Sequence, residues 1–128
     1  MLKERKRFWV GTGIGVVLVL TLLFGTTWYR AKIQNSREAV LRGNLLAMRV
    51  AIDQYIDDRH QAPQSLQQLV DTGYFRELPV DPMTQTNFNW TPVIGNVVIS
   101  AGQTVRGITD LHSSSSSVSS DGTNYSAW

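Results

Sequence analysis

The chain has 128 residues, a formal net charge of +2 and no cysteine. That length allows one small domain and one membrane segment, and the lack of cysteine excludes thiol catalysis, a disulfide scaffold and Cys-ligated zinc. Because residues 1–7 carry +3 and the rest of the chain carries −1, the basic balance is an N-terminal property and we expect no nucleic-acid partner.

The longest apolar run is FWVGTGIGVVLVLTLLFGTTW, residues 8–28, which has 21 residues and no charge. As a helix rising ~1.5 Å per residue it would be about 31 Å long, close to the thickness of the hydrocarbon core of a bilayer. Trp9, Trp28 and Tyr29 lie near its ends, where aromatic side chains favour the membrane interface. We therefore predict a basic cytoplasmic leader over 1–7, a transmembrane helix over 8–29 and an outer domain over 30–128.

A removable secretory signal is the alternative interpretation of the same run. Such signals have an apolar region of ~7–15 residues and end at small residues of the A-x-A kind. Here the run is longer and ends GTTWYR, which favours an uncleaved anchor or a pilin-type leader. Gly11, Gly13 and Gly15 are spaced for close approach of a second helix, although glycine is common in membrane helices in general.

The next segment predicts an amphipathic helix. Its apolar residues recur at steps of four and three along one helical face: Leu41, Leu45, Met48, Ile52 and Tyr55. This periodicity indicates a core stripe. Since no proline occurs before Pro63, the span and this helix are predicted to form one continuous helix to about Asp58.

A short second helix is predicted in PQSLQQLVDTGYF, with Ser65 capping its start and Gly73 just past its end. NFNWTPV and NVVISA are β-rich runs separated by Ile94 and Gly95, which predicts a hairpin turn there, and GITDLHS suggests a third short strand. The pattern predicts an α+β fold in which a small antiparallel sheet packs on the C-terminal half of the long helix.

The chain ends SSSSSVSSDGTNYSAW. By composition the serine run is typical of a disordered linker. However, Tyr125 and Trp128 follow it, and two terminal aromatic residues are better explained if they dock onto the domain.

Three stretches resemble one known family. SREAVLRGNLLAMRVAIDQY and APQSLQQLVDTGYFRELPVDP resemble the type IV pilin-like proteins, specifically the major pseudopilins (protein G type) of type II secretion. The final GITDLHSSSS…DGTNYSAW is similar to the end of the same group, where Asp-x-His-Ser precedes Asp-Gly-Thr-x-Tyr-Ser-x-Trp. The resemblance covers about residues 30–128 and implies a type IV pilin-like fold, with a long N-terminal helix, transmembrane in its first half, packed on a small antiparallel sheet.

This resemblance implies a function in protein secretion. Such proteins are single-pass subunits of the bacterial inner membrane, with a cytoplasmic N-terminus and a periplasmic domain, and they are extracted into a periplasmic pseudopilus. Their partners are other pseudopilins, in homo- or hetero-oligomers, and inner-membrane secretion components. A separate ATPase supplies the energy, so the resemblance implies no enzymatic activity.

The leader departs from the family pattern at two positions. Aligning Phe8 with the family's first mature residue puts Arg7 where a glycine precedes the cut, and Thr12 where the family has a glutamate. Each uncut basic residue would cost roughly 2.5–3.5 kcal/mol at the centre of a bilayer. We therefore expect no cleavage between Arg7 and Phe8, and two hypotheses remain open: a pseudopilin-like filament subunit, or a non-polymerising bitopic protein that uses the pilin-like domain as a scaffold or binding module.

The family's C-terminal loop commonly holds calcium, bound by aspartates and backbone carbonyls. The matching candidates in this chain are Asp110 and Asp121, and ordinary loop hydrogen bonding is the alternative role for both. His60 and His112 are far apart and form no metal signature. No G-x-S-x-G motif accompanies His112 and the serines, which argues against a hydrolase.

Overall fold

The computed structural model describes residues 2–128, and among residues 1–8 it describes only the side chains of Lys3 and Arg5. The elements are α1 (Leu2–Arg59), α2 (Gln67–Asp71), β1 (Trp90–Ser100), β2 (Gln103–Ser113) and a 3₁₀ turn (Tyr125–Ala127). The chain forms two compact units, an N-terminal unit that ends at Asn35 and a C-terminal unit, Ser36–Trp128.

The N-terminal unit consists of the first part of α1. It contains an 18-residue window with a mean hydropathy of 1.9, none of which is buried, and the helix is long and apolar enough to cross a membrane. Threonine hydroxyls within it donate to carbonyls one turn earlier: Thr21 to Val17 at 2.6 Å and Thr27 to Phe24 at 2.9 Å. The helix therefore satisfies these polar groups internally.

The C-terminal unit has the predicted α+β layout, with a long helix packed on a small two-stranded antiparallel sheet. All five residues of the predicted stripe are buried, which confirms the core face of α1: Leu41, Leu45, Met48, Ile52 and Tyr55. They pack with Leu69 of α2, Ile108 and Leu111 of β2, and Tyr125 of the 3₁₀ turn. Removing this apolar surface from water is the main stabilising term of the unit.

The second helix forms where it was predicted, but it is shorter. Its N-cap is Leu66 and no side chain caps it, so the prediction that Ser65 caps the helix is wrong. Instead, the Gln68 side chain accepts a hydrogen bond from the Gln64 amide at 2.7 Å. Gly73 ends the helix as predicted: its φ is +87° and its amide donates to the carbonyl of Val70 at 3.0 Å. A left-handed residue after a helix is the position that glycine fills best.

The predicted hairpin turn at Ile94 and Gly95 is wrong. β1 continues through both residues, with Gly95 opposite Gly107 and a bulge between Val93 and Ile94. A Cβ at position 95 would lie 2.7 Å from Oγ1 of Thr109, so a larger residue there would force the Thr109 side chain to shift. The turn instead falls between the strands, where Gly102 has φ +78°.

The predicted third strand, GITDLHS, is the second half of β2. The C-terminal residues dock onto the domain, as predicted from their aromatic character. Tyr125 is buried, Trp128 packs against the core, and their ring centroids lie 5.1 Å apart in an edge-on arrangement. The serine run is therefore held at both ends and does not act as a linker.

Candidate functional site

One candidate site is the apolar surface of the N-terminal unit. Large apolar side chains are exposed around the whole circumference of the helix, from Trp9 to Trp28. A helix that is apolar on all sides belongs inside a large core or a membrane. The space beside Gly11, Gly13 and Gly15 is open, since a Cβ at any of them would have no atom within 4 Å. Gly11 and Gly15 lie four residues apart, on the same face of the helix, which leaves a flat strip that another helix backbone can approach.

Arg7 and Phe8, the predicted processing position, lie within α1, and their side chains are outside the described part of the structure. Thr12 also lies in this helix. The prediction that the chain is not cut between Arg7 and Phe8 stays a prediction.

The second candidate site is the C-terminal loop, residues 114–124, and its contacts with α1. Glu38 is the buried anchor of this loop, with an exposed fraction of 5%. Its carboxylate accepts hydrogen bonds from the Ser120 amide at 2.7 Å, the Ser120 hydroxyl at 2.5 Å and the Tyr125 hydroxyl at 2.8 Å. Several charge-assisted hydrogen bonds of this kind compensate a carboxylate for the loss of water.

Asp121 organises the tip of the loop. Its Oδ1 accepts from the hydroxyl of Ser119, from the Thr123 amide at 3.0 Å and from the Thr123 hydroxyl at 2.6 Å. Its Oδ2 lies 3.5 Å from Nη2 of Arg42, whose guanidinium stacks 4.2 Å above the ring of Trp128. The hydrogen bond from Ser119, followed by those from Thr123, lowers the pKa of Asp121 to about 2.

Asp110 is paired with a different arginine, Arg49. Its Oδ1 accepts from Nε of Arg49 at 2.6 Å and from the Leu111 amide at 2.7 Å. Nη2 of Arg49 also donates to the backbone oxygens of Leu111 at 3.0 Å and Trp128 at 2.9 Å, and the His112 ring contacts the latter oxygen. Partial burial raises the pKa of Asp110, but the hydrogen bonds from Arg49 and Leu111 outweigh it, and the net pKa lies below its usual value.

Both candidate calcium ligands are bonded to other groups of the chain, and calcium binding by this loop stays a prediction. The ion takes six to eight oxygen ligands, and each of the two candidate carboxylates, Asp110 and Asp121, is paired with a different arginine. Oδ1 of Asp121 already accepts three hydrogen bonds, and an ion would have to displace Arg42 to reach Oδ2. Among the residues that the structure describes, no group of three or more His, Cys, Asp or Glu could hold a metal. Arg42 therefore supplies a positive charge beside Oδ2 of Asp121.

Sequence reasoning missed two buried carboxylates, Glu38 and Asp81. Asp81 is fully buried, accepts from the Ser113 hydroxyl at 2.5 Å and the Met83 amide at 2.7 Å, and shapes the loop before β1. Glu38 lies three residues before Leu41, on the face of the core stripe. A charged residue that continues an apolar stripe was the signal that could have identified it.

Comparisons with protein-family models, curated proteins and solved structures find no match to this chain.

Proposed function

We propose that this chain is a pseudopilin-like structural subunit of a type II secretion or related type IV pilus-like machine. It is anchored in the bacterial inner membrane by α1, with the C-terminal unit in the periplasm. The observation that carries this proposal is the 18-residue apolar window of α1, none of which is buried within the chain. Such a surface must be covered either by lipid or by the helices of partner subunits.

Both environments suit the same helix. In the membrane, the apolar side chains face lipid and the threonine hydroxyls bond within the helix. In a filament, the strip at Gly11 and Gly15 lets a neighbouring helix approach closely. The chain then works by helix packing, with partner pilins as its ligands, and we propose no catalytic residue.

A second candidate function is a bitopic membrane protein that does not polymerise and uses its periplasmic domain as a scaffold or binding module. Arg7 and Thr12 favour this alternative. An uncut leader keeps several basic residues at the cytoplasmic face, and each would cost roughly 2.5–3.5 kcal/mol at the centre of a bilayer. Those charges oppose extraction of the helix from the membrane.

Mass spectrometry of the N-terminus of the native protein separates the two functions. A mature chain that starts at a methylated Phe8 would rule out the fixed anchor. An intact N-terminus together with the absence of any cross-linked filament species would rule out the polymer.

The filament arm of the experiment uses single cysteines, because the chain has none of its own. Ile14→Cys places a thiol on the exposed apolar surface, and Gln103→Cys places one at the start of β2, in the C-terminal unit. A polymer packed through its helices predicts a ladder of cross-linked species with Ile14→Cys under a short bifunctional thiol reagent. The matched Gln103→Cys variant reports chance collisions, and equal yields from the two variants would contradict helix packing.

A further inference from the structure

The two edges of the sheet in the C-terminal unit differ in how their backbone groups are satisfied. The outer edge of β2 is covered by neighbouring segments. The Ile108 amide donates to the Pro63 carbonyl at 2.8 Å, and the Arg106 carbonyl accepts from the Gln64 side chain at 2.8 Å. β2 therefore has little capacity for a further strand.

The direction of these bonds also fixes the orientation of β1. Ile108 and Arg106 point their backbone groups away from the sheet, so each forms a non-hydrogen-bonded pair with its partner in the antiparallel ladder. Their partners are Ile94 and Asn96, and the next such residue is Val98. The N–H and C=O groups of these three residues consequently point outward from the free edge of β1, and no other segment of the described chain makes a backbone hydrogen bond with them.

β1 also lacks the features that normally protect an edge strand. Edge strands usually carry charges or are kept short, whereas β1 has 11 residues, WTPVIGNVVIS, and none is charged. Ile94 is 49% exposed and Val98 is 71% exposed. Pro92 is the one residue that blocks pairing, so the open part of the edge begins after it.

A groove of about 610 Å³ runs beside this open edge. One wall is formed by Asp53, Ile56 and Asp57 of α1, and the other by Thr109 and residues 96–98. Both aspartates are exposed and lie four residues apart on one side of the helix. Neither carboxylate forms an ion pair with any residue described in the structure, so the groove is both acidic and open to an extended chain.

We propose that the free edge of β1 is a docking site for an extended, basic segment of a partner protein, which adds to the sheet as a third strand. Its backbone would bond to Ile94, Asn96 and Val98, and lysine or arginine at alternate positions would reach Asp53 and Asp57, because side chains on one face of a strand repeat every second residue. This proposal does not depend on whether the chain polymerises.

The test uses the full chain in detergent micelles and a short fluorescent peptide in which lysine alternates with threonine. We expect saturable binding by fluorescence anisotropy. Two control peptides separate the two contributions: one has glutamate in place of lysine, and the other keeps the lysines but is N-methylated at alternate amides, so that it cannot pair with an edge. Both controls should lose binding.

The protein variants test the acidic wall. The double variant Asp53→Asn, Asp57→Asn should weaken binding of the lysine peptide by about tenfold or more. Glu77→Gln, an exposed carboxylate outside the groove lining, is the matched control and should bind normally. Thermal melting checks that all three proteins are equally folded.

Three results would overturn the proposal. Equal binding of the N-methylated peptide would mean that charge alone attracts the ligand and that the edge is not used. Failure of the lysine peptide to bind would show that a basic segment is not the ligand of this edge. Sedimentation that shows self-association through β1, in competition with the peptide, would assign the edge to a second copy of this chain instead.

Discussion

The two units of the chain differ in where their side chains find partners. In the C-terminal unit, apolar stripe residues pack on other elements of the same chain, and the buried carboxylate of Glu38 is bonded by the loop above it. In the N-terminal unit the apolar window is not buried at all. One helix thus carries two kinds of surface. The apolar stripe lies on one side and is buried by other elements of the chain, whereas the apolar window extends around the whole helix and can be covered only by lipid or by other helices.

The largest effect on stability is expected in the C-terminal unit, where two neighbouring leucines point in opposite directions. Leu45 is 2% exposed and Leu46 is 63% exposed. Leu45→Ala should lower the free energy of unfolding by about 2–5 kcal/mol because it leaves a cavity in the core. Leu46→Ala should change it by less than about 0.5 kcal/mol. Denaturant titration of both variants gives the difference, and similar losses would show that the stripe is not the core face.

In the N-terminal unit, by contrast, an exposed apolar residue is expected to be important. Leu18 lies midway along the predicted span and is exposed. Leu18→Arg should make membrane insertion less favourable by roughly 2.5–3.5 kcal/mol, whereas Leu46→Arg, on the exposed face of the other unit, should not affect it. A glycosylation reporter of insertion measures both. Unchanged insertion of Leu18→Arg would mean that this part of the helix is not surrounded by lipid.

A smaller effect is expected at the buried anchor of the C-terminal loop. Glu38→Ala removes the charged acceptor of the Ser120 amide and of the Tyr125 hydroxyl, and a hydrogen bond to a charged group contributes about 1.5–3 kcal/mol. Thermal unfolding should therefore show a clear loss of stability, together with faster hydrogen exchange in residues 114–124. Glu77→Ala, an exposed carboxylate, is the control. Equal Tm values for the two variants would contradict an anchoring role for Glu38.

The features that were predicted correctly depend on residues close together in the sequence, and those that were missed depend on residues far apart in it. The core stripe and the glycine at the end of α2 were predicted correctly because periodicity and capping are local signals. The hairpin turn was misplaced because Gly95 lies against the side chain of Thr109 on β2 and is not part of a turn. The loop anchor was missed because Glu38 bonds residues 82 and 87 positions away. No short-range pattern encodes such a contact.

The hydrogen bonds to Asp121 predict that stability depends on pH. We expect this effect to be smaller than that of Glu38→Ala because the Asp121 carboxylate is exposed. Its pKa is lowered to about 2 in the folded chain, compared with about 3.9 for an unperturbed aspartate. The unfolded chain therefore binds the proton more readily, so this contribution to stability is present above about pH 4 and is lost as the pH falls through about 2. Asp121→Asn should flatten the acid limb of the stability profile in that window. Asp71→Asn, on α2, serves as the matched control for the loss of a carboxylate.

The smallest expected effect is a change in Tm that shows whether Asp121 is paired with Arg42 or binds a calcium ion. Because Arg42 lies beside Oδ2 of Asp121 and three donors occupy Oδ1, we expect millimolar calcium to leave the Tm of the wild-type chain unchanged. Arg42→Met, which retains an apolar side chain against Trp128, should lower the Tm slightly by removing the positive charge. A rise in Tm with calcium that Asp121→Asn abolishes would show instead that the loop binds the ion. In that case Arg42 would have to move away from Asp121 on binding, and the cation–π contact with Trp128 would report this as a change in tryptophan fluorescence.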